Sequence, residues 1–432
     1  MSVLCAEYDP SRRQGHVTWR AYQGLPVIEV VNNWACASFE ETYRPPLVRD
    51  RIAQVLQAVQ PDIVHVHNLL NLSFDLPAVA RAHGVPVVAT LHDYTLVCPS
   101  GGQRIHRAEQ HVCHQIDTER CVRCFRDSPS YAHISFSRLA AATRAPRLLT
   151  RAALALSRRL PGLAGRLGRA AGRAPLLSLT RRDIDERLAA AQRVFAGVDL
   201  FVAPSPSIAA EFQRLGVDHA KIRISDYGFV PLLRRPGSGR HERRDPLRIG
   251  YVGTLVWHKG VHVLLDAVRG LPSASFEVKI FGSPHVFPDY SASLRAQAAG
   301  MPVRFMGAFD RHQAADIYAQ IDVLVVPSLW LENSPLVIHE AFMAGIPVVG
   351  ARMGGITDLV DDGRTGLLYD SASTVELEAA LHRLIEHPEQ LRELAAGVRA
   401  HPRIKSIEDD AHEWEAAYAD VLRRRAAVGQ VT

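Results

Sequence analysis

The chain has 432 residues, 47% hydrophobic and 22% charged, with 50 basic against 45 acidic side chains and a formal net charge of +5. These values belong to a globular chain long enough for two or three domains, and they exclude a disordered, collagen-like or coiled-coil protein. The charge is uneven, because residues 137–182 hold 11 Arg and no acidic residue, which leaves the rest of the chain mildly acidic.

Only 4 of the basic residues are Lys, a skew expected of a GC-rich genome that weakens any inference from Arg-rich stretches. No run of about 18 apolar residues is present to span a membrane. The opening MSVLCAEYDPSRR lacks the basic start and apolar core of a signal peptide. The cytoplasm is therefore the expected compartment, and disulfides are not the default for the six Cys.

Short β-rich runs alternate with helical stretches, the pattern of parallel α/β sheets. Strands are predicted at 3–6, 26–31, 62–67, 85–91, 200–203 and 221–225, with helices at 47–58 and 76–83, the second closed by Gly84. The chain opens directly in strand 3–6 followed by a polar loop, without the glycine-bearing turn and helix that usually start a doubly wound domain. A shorter sheet and a missing N-terminal βα unit are both compatible with that opening. Residues 234–246, RRPGSGRHERRDP, cannot hold a core and form the expected linker. Beyond them, strands at 247–252, 276–281, 303–306, 323–326, 347–349 and 366–368 alternate with helices at 261–269, 313–320, 336–344 and 375–387. Residues 406–428 read as a last helix, with Ala411, Trp414, Ala417, Tyr418, Val421 and Leu422 at helical spacing. The expected domains are 1–235 and 247–405, with helix 406–428 packing back on the first. Ligands are expected at the carboxyl ends of the strands.

Residues 325–368, VVPSLWLENSPLVIHEAFMAGIPVVGARMGGITDLVDDGRTGLL, read as strand, loop, helix, strand, Gly-rich turn, helix, Gly turn and strand. Ser334 suits the N-cap, Pro335 the first helical position, and Gly345 the stop. The N–H groups at the start of this helix would face an anion. Glu332 lies just ahead of the helix and Glu340 inside it, and a carboxylate can accept two hydrogen bonds from the vicinal diol of a sugar.

This string resembles the E-x7-E signature of retaining family 4 glycosyltransferases, the group 1 glycosyltransferases of GT-B fold, from Glu332 and Glu340 to Gly354-Gly355. YVGTLVWHKG at 251–260 is similar to the family's strand, glycine and Lys-Gly segment. The resemblance implies close backbone approach at Gly253 and a cation on the diphosphate at Lys259. Thr254 stands where many members have Arg, which leaves the second phosphate contact to His258 or another Arg. Gly282 and Gly307 match positions around the base, and Asn333, Ser334, Pro335 and Leu336 complete the nucleotide-sugar set. PDIVHVHN at 61–68 and TLHDY at 90–94 also look like family segments. By resemblance His92 reaches the donor sugar and its phosphate, Asp93 organises that site, and Glu332 is the third catalytic residue. His65 and His67 read as packing residues or as supports of neighbouring site residues, and not as catalytic ones.

The implied architecture is α/β, two Rossmann-like doubly wound parallel-sheet domains facing a central cleft. The implied reaction transfers a sugar from a nucleotide-diphosphate donor with retention at the anomeric carbon, with no metal required for catalysis. Resemblance covers nearly the whole chain but is weak across 128–183. Family members usually carry one further strand, a Gly-Gly loop and a helix before the strand matching 3–6, so the chain reads as lacking that N-terminal βα unit.

Two segments stand apart from this reading. Cys98, Cys113, Cys121 and Cys124 cluster beyond His92-Asp93. The Cys121-x2-Cys124 spacing with four thiols suits structural zinc or an iron–sulfur centre; His106, His111 and His114 are alternative ligands, and free or redox-active thiols are the other reading. The Arg-rich 137–182 segment interleaves cations with apolar patches at 148–149, 152–156 and 176–177, which fits an anionic membrane surface as well as a solvated helical hairpin. It lacks aromatic residues to stack bases, so nucleic acid is not an expected partner. The expected partners are the nucleotide sugar and a glycan or lipid-linked acceptor of cell-envelope or exopolysaccharide synthesis, met at the inner face of the cytoplasmic membrane. A catalytically impaired remnant that binds nucleotide sugar or membrane only, and a GT-B nucleotide-sugar epimerase, are the competing functions.

Overall fold

A computed structural model of the chain describes residues 1–128, 131, 134, 179–232, 246–401 and 404–429. The Arg-rich segment up to residue 178 and the linker up to residue 245 lie outside these residues. The chain divides into two compact units, one of Met1–Val202, Phe212–Arg223 and Ala417–Thr432, the other of Ala203–Glu211 and Ile224–Ala416.

In the first part of the chain, β1 (Val3–Glu7), β2 (Val17–Tyr22) and β3 (Leu25–Val31) form a sheet in the order β1-β3-β2. β1 runs parallel to β3, and β2 runs antiparallel to it. The polar loop expected after strand 3–6 therefore contains a strand. β2 was illegible because its residues are mostly exposed, so no apolar face marks its alternation. A two-residue turn with Gln23 at φ 49° and Gly24 at φ 82° joins it to β3, the backbone twist that tight hairpins require. A second sheet holds β4 (Val64–Val66), β5 (Val87–Thr90), β8 (Leu200–Ala203) and β9 (Ile222–Ile224) in the order β4-β5-β8-β9, with β6 (Ile105–His106) and β7 (His111–Val112) pairing separately. The strands of the first half thus form two larger sheets and a small hairpin rather than one sheet.

α1 (Pro46–Val59) opens with proline and buries Val48, Ile52, Val55 and Leu56, one stripe at helical spacing. α2 (Leu76–Ala82) and α3 (Thr118–Arg126) follow. α4 (Arg181–Gly197) begins with a capping box in which Thr180 and Asp183 satisfy each other's backbone. Its inner face carries Arg187, 5% exposed, whose guanidinium donates to Leu96 O at 2.9 Å and Thr95 O at 2.5 Å and lies 5.0 Å over the Phe74 ring. A buried arginine thus holds the loop that follows His92 and Asp93.

After α5 (Pro206–Arg214), the second unit contains the regular sheet. β10 (Leu247–Val252), β11 (Phe276–Phe281), β12 (Val303–Gly307), β13 (Val323–Val326), β14 (Val348–Ala351) and β15 (Gly366–Tyr369) stand in the order β12-β11-β10-β13-β14-β15, all parallel. The order reverses between β10 and β13, the point of a doubly wound sheet where a ligand crevice opens at the carboxyl ends. The helices are α6 (Val261–Val268), α7 (Pro288–Gln297), α8 (Ala314–Tyr318), α9 (Leu336–Ala344), α10 (Gly355–Leu359), α11 (Thr374–Glu386), α12 (Pro388–Arg399) and α13 (Ile407–Gly429). Ile317, Ile338, Ala341, Phe342 and Val348 share one core that seats α9. No helix among the described residues is long and apolar enough to cross a membrane.

At the switch point the backbone is packed tightly. Gly260 has φ 72°, and a Cβ there would lie 1.7 Å from Pro327 O at the end of β13. Gly260→Ala is therefore expected to destabilise the fold by about 2 kcal/mol or more, read as a lower urea midpoint in unfolding followed by circular dichroism. A midpoint equal to the wild type's would show that β13 and the start of α6 do not approach so closely.

Candidate functional site

Side chains converge at the carboxyl ends of β10 and β13. Lys259, in the turn between β10 and α6, places Nζ 2.6 Å from Glu332 Oε1 and 5.2 Å over the Trp330 ring. The Ser328 hydroxyl donates to the same Glu332 oxygen at 2.6 Å. Glu332 is 4% exposed, a burial a carboxylate tolerates only when paired and hydrogen-bonded. Both bonds fall on Oε1, so Oε2 is the oxygen able to accept from a ligand hydroxyl. His258 points inward, 2% exposed and edge-on to Trp330, so it belongs to the wall of the site. Thr254 is exposed, and its carbonyl accepts from the Tyr251 hydroxyl at 2.8 Å.

The neighbouring strand ends form a backbone shelf. Gly253 N–H donates to Phe281 O at 3.0 Å and Gly282 N–H to Gly307 O at 2.8 Å. Behind the Glu332 loop, Gly355 N–H donates to Glu332 O at 2.7 Å. A Cβ on Gly355 would stand 1.7 Å from Asn333 O, and one on Gly354 2.5 Å from Glu332 O. The glycine pair is thus the surface against which the Glu332-Asn333 backbone lies.

The start of α9 differs from the expectation. Pro335 occupies the N-cap and Leu336, 51% exposed, the first helical position. Ser334 does not cap the helix. Its hydroxyl donates to Asp226 Oδ1 at 2.7 Å and contacts His339 Nε2 at 2.8 Å, one position ahead of the N-cap. Asp226 is a residue that sequence reasoning missed, since 108 positions separate it from Ser334. Burial opposes ionisation of Asp226, but His339 and Ser334 hold its carboxyl below the usual range. Further along α9, Glu340 Oε2 accepts from the Tyr318 hydroxyl at 2.9 Å. Burial and Glu340 push that phenol well above its ordinary value, so it stays a donor.

In the first unit, the carboxyl ends of β4 and β5 bring His67, Asn68, His92 and Asp93 together. His67 Nδ1 lies 2.9 Å from His92 Nε2, and Asn68 Nδ2 donates to Asp93 Oδ2 at 2.9 Å. These residues border a cavity of about 30 Å3 that reaches Pro77 and Phe201. His65 is fixed by Thr90 Oγ1 at 2.8 Å and the Tyr418 hydroxyl at 2.7 Å. Burial and the two neighbouring imidazoles lower His65 to about 3. Burial also lowers His67 and His92, the latter with His67 adding to the effect and Asp93 opposing it. All three rings are therefore neutral near pH 7.

Cys98, Cys113, Cys121 and Cys124 do come together, lining a cavity of about 20 Å3 with Arg104 and Arg120. All four are free thiols. Burial, with the surrounding thiols, pushes Cys121 and Cys124 up to about 12, which keeps them protonated and weakly reactive. Among the described residues, no group of three or more His, Cys, Asp or Glu side chains is arranged to hold a metal ion.

Comparison with known proteins gives these sites a context. Residues 1–118 match the model of the Glycosyltransferase Family 4 domain and residues 246–387 that of Glycosyl transferases group 1, together more than half of the chain. The D-inositol 3-phosphate glycosyltransferase of Stackebrandtia nassauensis is 30% identical over 58% of this chain and 61% of its own length. The sulfoquinovosyl transferase SQD2 of Arabidopsis thaliana is 28% identical over 51% of this chain and 42% of its own. The chain thus spans less than two thirds of these curated relatives. Among solved structures, Anabaena Alr3699/HepE in complex with UDP superposes with a TM-score of 0.60 at 17% identity, over 92% of this chain and 87% of that one. Sucrose-phosphate synthase from Thermosynechococcus elongatus gives 0.61 at 17%, over 98% and 88%.

The imidazole cluster makes stability depend on pH. The folded value of His65, about 3, lies below the ~6.5 of an unfolded histidine. Protons thus bind the unfolded chain first, and stability present above pH 6.5 is lost as pH falls toward 3. His65→Gln is expected to flatten the acid side of a plot of unfolding free energy against pH between 6.5 and 4. Parallel curves for variant and wild type would show that His65 takes up its proton as readily folded as unfolded.

Proposed function

The chain belongs to the family 4 glycosyltransferases and has their GT-B fold, and on that footing we propose that it transfers a sugar, with retention, from a nucleotide-diphosphate donor bound by the second unit. The observation that carries this reading is the Lys259–Glu332–Ser328 cluster at the switch point of the doubly wound sheet. A diphosphate at that edge meets the Lys259 ammonium and the N–H groups at the start of α9, which together stabilise the charge that develops on the leaving phosphate. Lys259 keeps further N–H donors after bonding Glu332. Glu332 Oε2 and the Glu340 carboxylate accept from hydroxyls of the sugar and the ribose. The glycines 253, 282 and 307 admit the base and phosphates close to the backbone. His92 of the first unit acts on the donor sugar and its phosphate, with Asp93 organising the loop. The departing phosphate takes the proton of the acceptor hydroxyl, so that the new bond forms on the face from which the phosphate leaves.

UDP is the nucleotide in the HepE complex, and it supports a nucleotide-sugar donor here. D-Rhamnosyltransferase WbpZ of Pseudomonas aeruginosa is a further relative, 29% identical over 49% of this chain and 56% of its own length. The relatives' names support sugar transfer, and the acceptor proposed with it is a glycan or lipid-linked one of envelope or exopolysaccharide synthesis. The 11 Arg of residues 137–182, a segment without an acidic residue of its own, favour reaching it at an anionic membrane surface.

The test is release of UDP or GDP from a panel of their sugar conjugates, with and without lipid vesicles. Wild type is expected to release nucleotide from one of them, Lys259→Ala about 100- to 1,000-fold more slowly, and Glu340→Ala with weakened nucleotide affinity. No release from any donor, with nucleotide still bound, would favour a binding-only remnant. Conversion of the donor sugar without transfer would favour an epimerase.

A further inference from the structure

The turns after β4 and β5 are joined to each other by consecutive side-chain pairs. β4 and β5 run parallel with His65 opposite Val88 and Val66 opposite Ala89, so the residues leaving the two strands emerge side by side. His67 meets His92, and Asn68 meets Asp93, each at 2.9 Å. The orientation of the Asn68 amide is determined by its partners, since Oδ1 accepts from Leu70 N–H at 2.6 Å and Nδ2 therefore faces the carboxylate. Asp93 is braced in turn, its other oxygen accepting from Thr95 N–H at 2.7 Å.

The His67 ring has little freedom. Its centroid lies 4.1 Å from that of the His65 ring and 5.2 Å from that of the His92 ring, which it meets end to end through the Nδ1–Nε2 contact. His65 is itself held at both nitrogens by Thr90 and Tyr418. A hydrogen bond between two imidazole nitrogens needs a proton on one and a bare lone pair on the other. The bond between His67 Nδ1 and His92 Nε2 therefore permits at most one charged ring in the pair, and the donor chosen decides which nitrogen of His92 carries hydrogen.

We propose that His67 is a positioning residue for His92, fixing its ring orientation and tautomer, with Asn68 serving Asp93 in the same way. The role rests on the reading that His92 acts on the donor sugar. His67 does not touch the reacting atoms in this scheme. It aligns the imidazole that does, as the hydrogen-bond partner of a metal-bound histidine fixes that ring's tautomer.

Two variants separate positioning from bulk. His67→Phe keeps an aromatic ring and removes the hydrogen bond, whereas His67→Asn keeps a polar group near the place of Nδ1. In the full chain, the 15N resonances of His92 are expected to change tautomer pattern in His67→Phe and to stay near the wild-type pattern in His67→Asn. Nucleotide release should fall about 10- to 100-fold in kcat for His67→Phe, with KM and UDP affinity within about 3-fold of wild type, and recover substantially in His67→Asn. The acid limb of its pH profile should shift in His67→Phe. A folded His67→Phe with unchanged His92 resonances overturns the proposal, and so does unchanged kcat. If His67→Phe does not fold, the comparison moves to His67→Asn against His67→Ala. If the tautomer shifts but wild type releases no nucleotide from any donor, positioning stands and the transferase reading falls.

Discussion

The buried carboxylate of Glu332 is the constraint around which the second unit is arranged. An ionised group 4% exposed must be compensated by charge and hydrogen bonds at once. Lys259 and Ser328 do this from two different segments, the turn after β10 and the end of β13. Those segments can meet only if the backbone between them is close, and Gly260 against Pro327 O supplies that approach. The Glu332 loop must also be held from behind, which Gly354 and Gly355 permit by presenting bare backbone. A small set of glycines thus follows from the need to bury one charge at a strand end.

The first unit solves a different problem. His65, His67 and His92 are neutral because burial, joined by neighbouring rings at His65 and His92, disfavours the charged form, and their order comes from side-chain hydrogen bonds. Arg187 reinforces the same loop from within the core by donating to the carbonyls of Thr95 and Leu96. The two sites therefore differ in kind. The second unit offers a fixed cation and a helix terminus, suited to phosphate. The first offers neutral imidazoles and a braced carboxylate with defined hydrogen-bond direction, suited to hydroxyls and to proton placement.

What could be read in the sequence followed how local each determinant was. Helix 336–344 was placed to the residue, because an apolar segment between a proline and a glycine leaves few alternatives. β10, β13 and β14 were legible as short apolar runs buried nearly throughout. β2 was not, since an exposed edge strand carries no burial pattern. Ser334 does not cap because the helix starts at Leu336 with Pro335 as its N-cap, and its hydroxyl partner Asp226 lies 108 positions away in sequence. His67 was read as a packing or supporting residue without a named partner, because His92 is 25 positions away and only strand pairing brings the two together. The cysteine spacing made four thiols a candidate cluster, and they line one cavity.

The two glutamates of the signature illustrate how one motif carries two chemistries. Glu332 sits in a loop, buried, with a full cation and a hydroxyl on one oxygen. Glu340 lies one helical segment later, half-buried, and accepts from a phenol that burial keeps protonated. The first is therefore locked in both charge and direction, and removing its lysine would leave a charge stranded in a dry site. The second is held by a neutral donor and retains access to solvent, so it can adjust to the hydroxyls of a bound ligand. Their separation by eight residues is what places one carboxylate before the first turn of α9 and the other within it, on either side of the helix terminus that a phosphate would approach. The spacing is a consequence of that geometry, and the unequal environments explain why two residues of one type at a single site need not be interchangeable.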